Sequence, residues 1–213
     1  MTLKPVIYLS LALIVLGLAF IIWQMTAYRV SEPSYTTLKL VDSIEVREYP
    51  AIIVAQVKME GDRYTSINAG FRLLANYIFG NNQEKQKIAM TAPVMQEDMR
   101  REKRDKTSAL IAQQKFGDSW FVRFVMPAGS SLAQLPKPND TAVALLAIPP
   151  KKYIVIQFSG SSTDENLQKQ LVRLLNYCKD NHLKTVGNPI MAFYNPPWIL
   201  PFLRRNEIML ELK

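Results

Sequence analysis

Hydrophobic and polar positions divide the 213-residue chain into three patterns. The first is a solid apolar block. Pro5 to Ala27 carries no formally charged side chain. As a helix rising about 1.5 Å per residue, it is long enough to cross a bilayer core of roughly 30 Å. Tyr8 and Trp23 stand near its ends, where aromatic rings favour the lipid–water interface. The block is longer than the apolar core of a secretory signal, and no small-x-small cleavage site closes it.

The second pattern is alternation. Leu38-x-Leu40, Ile44-x-Val46 and Ala51–Val57 predict strands after a short linker around Ser31–Ser34. Further strands are predicted at Ile88–Val94, Trp120–Met126, Val143–Ile148 and Tyr153–Phe158. The third pattern has helical spacing. Ile67, Phe71, Leu74 and Ile78 step by 4, 3 and 4, which predicts a helix over about residues 63–79, with Asp62 as N-cap and Gly80 near its end. The same steps recur at Leu167, Leu171, Leu174 and Cys178, after the turn Gly160–Asp164. The two stripes lie 100 residues apart, and Asn76-Tyr77 aligns with Asn176-Tyr177. A duplicated unit accounts for this. Two helices are too few to cover the crossovers of a parallel sheet, so the fold class is α+β with an antiparallel, barrel-like sheet. The expected organisation is an anchor at 1–27, a linker at 28–34 and a domain at 35–213.

Charge narrows the partners. The chain carries a formal +8, and Lys4 is the sole charged side chain before Arg29, so the folded part is strongly basic. This suits anionic lipid or a carboxylate-bearing ligand. The densest basic run, Arg100–Lys106, has acids mixed in and no interleaved aromatics, which fits a solvated loop and not nucleic-acid binding. The slight Lys/Arg asymmetry about the apolar block favours a single-pass membrane protein with its domain on the non-cytoplasmic side.

Enzyme chemistry runs short of parts. His182 is the sole histidine and Cys178 the sole cysteine, so no multi-histidine metal site, histidine triad or disulfide framework can be assembled. Cys178 and His182 are four apart, but Cys178 falls on the apolar stripe, where an inert thiol is expected. Nothing marks out a catalytic or metal-binding residue. The apolar stretch Trp198–Leu203 follows Pro196-Pro197 and should be a loop, one greasy enough to cover the core, a ligand or a membrane.

Three segments carry a resemblance. Glu45–Pro50 (EVREYP), Lys87–Val94 (KIAMTAPV), and Tyr194–Ile208 with its Asn-Pro-Pro and Arg-Arg-Asn-Glu elements resemble the signatures of the SOUL haem-binding proteins. The resemblance covers about Tyr35 to Leu212. It implies a distorted antiparallel barrel of two βαββ-type repeats with two flanking helices, similar also to the effector-binding domains of multidrug-responsive regulators. It implies a non-enzymatic carrier or buffer of haem or another tetrapyrrole. Carried over by position, Asn68, Phe71, Arg72 and Ala75 would lie on the first helix, with Trp198, Leu200 and Phe202 on the loop opposite. Phe71 and Trp198 would stack on the macrocycle, and Arg72 would pair with a propionate. No axial iron ligand is implied, and His182 is far in sequence from this set. Phe71 also sits on the stripe expected to face the core, so the two assignments compete for one side chain. The alternatives are an interaction or sensing module that engages a protein or lipid through the apolar loop, and a hydrolase on the related effector-binding fold.

Overall fold

The computed structural model describes residues 3–26, 30–99 and 117–213; the basic run Arg100–Lys106 lies outside them. Helix α1 spans Leu3–Thr26. Its described side chains form one unbroken run at 8–17, with Ala19 and Trp23 beyond, and the large ones are exposed. Among the described residues no helix is long and apolar enough to cross a membrane, so the crossing expected over residues 5–27 is not among the features they show.

The domain is one nine-stranded antiparallel sheet with two longer helices on one face. The strands are β1 (Thr36–Val41), β2 (Ile44–Tyr49), β3 (Ile52–Glu60), β4 (Val94–Asp98), β5 (Ser119–Val125), β6 (Ala144–Ile148), β7 (Lys151–Phe158), β8 (Thr185–Phe193) and β9 (Asn206–Leu212). Helix α2 (Arg63–Ile78) follows β3 and helix α3 (Asp164–Asp180) follows β7. Both begin on caps visible in the sequence: Asp62 accepts from the Thr65 N–H at 2.9 Å, and the Thr163 hydroxyl accepts from the Asn166 N–H at 3.3 Å. Gly80, at φ +109°, turns the chain at the end of α2 in a conformation that side chains disfavour.

The strand order is β1-β2-β7-β9-β8-β4-β5-β3-β6. From its middle outward the two halves mirror each other: β8-β9-β7-β2 against β4-β5-β3-β6. Each half contains a β-α-β-β unit, which supports the duplication read from the stripes. The outer strands trade places. β2 precedes β3 in the chain but pairs with β7, and β6 precedes β7 but pairs with β3. The ladder ends at β1 and β6 without closing on itself, so the expected barrel is an open sheet.

One other expectation fails. Residues 88–93 are not a regular strand, and β4 starts at Val94. The signature here is spent on anchoring. Ile88 is buried and its N–H bonds to Ile78 O at the end of α2. The Thr91 hydroxyl donates to Val125 O, Ala92 N–H bonds to Ser31 O, and the Ala92–Pro93 peptide is cis. Irregular backbone that is buried must satisfy its polar groups this way.

The core divides between the helices. Under α2 lie Ala55, Val57, Val122 and Phe124; under α3 lie Ile154, Ile156, Met191 and Ile208. Gly70 sets how closely α2 approaches, since a Cβ there would come within 2.7 Å of Val122 Cγ2.

Candidate functional site

The signature segments meet around one buried ion pair. Arg47 and Glu207 are both fully buried, and the Arg47 guanidinium donates to both carboxylate oxygens of Glu207, at 2.9 and 3.1 Å. Glu45 takes two more of its hydrogen bonds, and the Tyr49 hydroxyl accepts another. The Tyr194 hydroxyl donates to Glu207 at 2.9 Å, and Arg205 donates to Glu207 while lying over the Tyr194 ring at 3.7 Å. Burial works against the Arg47 charge, but Glu45 and Glu207 outweigh it and hold its pKa above the usual arginine range. Burial pushes the Tyr49 phenol up to about 12, and raises Tyr194 further with the help of the Glu207 charge. Removing one partner breaks a buried pair, a change that costs about 3–5 kcal/mol where the surviving charge is left alone; here Glu45 stays beside Arg47, and Arg205 beside Glu207. Glu45–Pro50, the Ala92 segment and Arg205–Glu207 are therefore scaffold: Tyr49, Ala92 and Tyr194 pack in one cluster.

The same motif positions the apolar loop. Arg204 donates to Ile199 O and Pro197 O, and Asn206 donates to Gly160 O. Gly160 N–H bonds to Pro201 O, tying the loop to the turn before α3. Within the loop, Ile199 is buried as a plug, Leu200 is half-buried, and Trp198 and Phe202 are 67% and 62% exposed. The loop has not collapsed onto the interior.

On α2, Asn68, Phe71, Arg72 and Ala75 share one flank. Asn68 and Arg72 are exposed, and their side chains bond back along the helix to Tyr64 O and Asn68 O. Ala75 is buried at the margin of the core. Phe71 is 39% exposed and meets Phe124 edge-on, with ring centroids 5.2 Å apart. The competition over Phe71 is thus resolved by a rotation of the helix. Its buried face runs through Arg63, Ser66, Gly70, Leu74 and Tyr77, which leaves Phe71 at the border.

Strand register joins the two sets. Phe124 faces Val94, and Val94 faces Phe193, in one row across β5, β4 and β8. With neighbouring strands about 4.8 Å apart, Phe193 lies about 10 Å from Phe124. Val94 and Phe193 are half-buried, so the row forms a partly open shelf between α2 and the start of the apolar loop. Arg63 closes one side of it. This buried arginine bonds Asp164, Ser162 O and Gln96, which links the first turns of the two helices, and its guanidinium lies 6.0 Å from the Phe193 ring.

Sequence reasoning missed Val94, Phe193 and Arg63 as parts of this shelf. It also missed Tyr64 and Phe79, 72% and 62% exposed, which continue the Phe71 flank. Their spacing from Phe71, seven before and eight after, was the available signal. A separate cleft lies elsewhere, lined by Ser31, Pro33, Pro50, Ile52, Thr91 and Met126. A thiol–imidazole pair is not formed: Cys178 is buried, its thiol pushed up to about 11 by burial, and His182 lies in the exposed turn beyond α3. Among the described residues no group of three or more His, Cys, Asp or Glu is placed to hold a metal.

The fold recurs in solved structures of otherwise dissimilar sequence. The crystal structure of the EcmrR C-terminal domain is similar with a TM-score of 0.60 at 12% identity, covering 84% of this chain and 98% of that one. A hydrolase from Listeria innocua is similar with a TM-score of 0.51 at 8% identity, covering 83% and 94%. These likenesses concern the fold alone. The chain belongs to the SOUL heme-binding protein family, whose model matches residues 30–211. Heme-binding protein 2 of Mus musculus is 27% identical over 176 residues, 80% of this chain and 78% of that protein.

Proposed function

We propose that this chain is a non-enzymatic binding protein for haem or a related tetrapyrrole, a carrier or buffer held at a membrane through residues 5–27. The observation that carries the reading is the partly open aromatic shelf, in a member of a haem-binding family. On this reading Phe71 and Trp198 stack on a flat macrocycle, with Leu200 and Phe202 beside them, and the gain comes from dispersion and buried apolar area. Arg72 is an exposed cation on the same flank, available to a propionate. The small Ala75 leaves a step between Phe71 and Phe79, about 12 Å apart along the helix axis. Residues present thus fit the group's shape and charge, and no iron ligand is assigned.

The anchor reading draws on the uncharged block Pro5–Ala27, the helix over it and the exposed side chains of Tyr8–Leu16. The slight Lys/Arg asymmetry about the block supports a domain on the non-cytoplasmic side. Hemin titration of the full chain in detergent, followed at the Soret band, tests the ligand: a saturable one-to-one shift is expected, and its absence at micromolar protein rejects the reading. Retention in membranes after alkaline extraction tests the anchor separately.

The exposure of Trp198 and Phe202 also favours a second reading, in which the loop engages a protein or lipid. A Trp198→Ala, Phe202→Ala double variant separates the two. Weakened hemin binding supports the carrier; unchanged hemin binding with lost vesicle or partner recovery supports interaction.

A further inference from the structure

The two edges of the sheet are protected very differently. An edge strand presents unpaired N–H and C=O groups that invite another strand, and proteins blunt such edges with charge, bulges or proline. β1 carries Lys39 and a register shift between Thr37 and Lys39. β6 has neither: its sequence is Ala-Leu-Leu-Ala-Ile, Val143–Pro150 holds no charged residue, and the prolines Pro149 and Pro150 stand beyond its last paired residue. It pairs with β3 on one side, from Gln56↔Ala144 to Ile52↔Ile148 in unbroken register. Among the described residues no other backbone bond reaches residues 144–148. Ala144 and Ala147 are exposed and Leu146 is 40% exposed.

The geometry points to β6 as a self-pairing edge, at which a second copy of this chain adds its own β6 antiparallel, centred on Leu146. Three observations favour a second copy over another strand. First, the stretch 143–150 is uncharged, so bringing it against its own copy sets no like charges side by side, in a chain of formal net charge +8. Second, pairing about Leu146 is complementary in size. Ala144 falls opposite the twin's Ile148, Leu145 opposite its Ala147, and Leu146 opposite itself. Third, the inner face is continuous with a core: Ile148 and Ile52 flank the cluster of Val54, Met95 and Val125, which the twin would extend. Five paired residues make a small interface, so the dimer is weak and concentration-dependent.

Cross-linking tests this in the full chain. The native Cys178 is buried, so Leu146→Cys introduces one accessible thiol on the two-fold axis, where antiparallel Cα spacing suits a disulfide. Under mild oxidation Leu146→Cys should form a covalent dimer about tenfold faster than Leu38→Cys on the β1 edge, because a pre-formed pair raises the local thiol concentration. Adding Ala147→Lys should remove that advantage while leaving the circular dichroism spectrum unchanged. Equal rates for Leu146→Cys and Leu38→Cys overturn the proposal. So does preferential mixed cross-linking between those two variants, which would mean that β6 meets the β1 edge instead.

Discussion

Helices α2 and α3 are equivalent elements of a duplicated unit that have been set to different tasks. On α3 the stripe Leu167, Leu171, Leu174 and Cys178 is wholly buried, and the helix opens with Asp164 and Glu165 in its first turn. On α2 the equivalent stripe is Ile67, Phe71, Leu74 and Ile78, and only Leu74 and Ile78 are buried. The difference traces to Gly70, whose counterpart is Gln170. Without a side chain at 70, α2 rolls onto Val57 and Val122 and turns Phe71, with Tyr64 and Phe79, outward. A helix that keeps its full stripe inside is a strut. One that withdraws an aromatic from its stripe leaves that ring at the surface, at the cost of some burial; on the proposed reading the ring contacts ligand.

Substitutions at matched positions test that contrast. The largest effect is expected at Leu171→Ala, which removes a buried side chain and should cost about 2–5 kcal/mol in denaturant unfolding. Phe71→Ala should cost much less than the about 3–5 kcal/mol of a buried aromatic, since its ring is partly solvated already. Equal losses at the two sites would abolish the distinction. Next is Gly70→Val. Two methyl groups driven against Val122 should destabilise by about 1–3 kcal/mol, and should weaken hemin binding through displacement of α2. Then comes binding itself. Phe71→Ala should weaken hemin about tenfold, a loss of about 1.4 kcal/mol of ring contact, while Leu171→Ala, its buried counterpart, should leave the affinity of the folded fraction unchanged.

A separate effect is a pH dependence particular to α3. The Cys178 thiol is raised from 9.0 to about 11 by burial. The unfolded chain therefore loses this proton first. Stability from this group is complete below the unfolded value and declines as pH rises from about 9 towards 11. Cys178→Ile, which copies Ile78 of α2, should flatten stability between those limits; an unchanged slope would remove the thiol from the account.

Much of the fold was legible because its signals are local. Asp62 and Thr163 cap the two helices, the 4-3-4 steps fix their length, and alternation places most strands. What was not legible is long-range. Nothing in the sequences of β2 and β6 indicates that each pairs with the half it does not precede. The strand expected at 88–94 failed because apolar residues there plug the end of α2 instead of extending a ladder. At the site, spacing put Phe71 on a stripe but could not fix the roll of the helix. Gly70 held that information, yet a mid-helix glycine signals it only when the opposing Val122 is known. The signature residues that identify the family, Arg47, Tyr49, Tyr194 and Glu207, hold the sheet together on the face away from the helices, so recognition and site location rested on different side chains.

The exchanged outer strands have a mechanical outcome. Each half reaches into its neighbour and contributes that neighbour's border, as two clasped hands do. A protease cut between β5 and β6 would therefore yield a nicked but undivided molecule: β2 on the first fragment would still be seated beside β7 of the second, and β6 of the second beside β3 of the first. The fragments should co-elute until denaturant parts them.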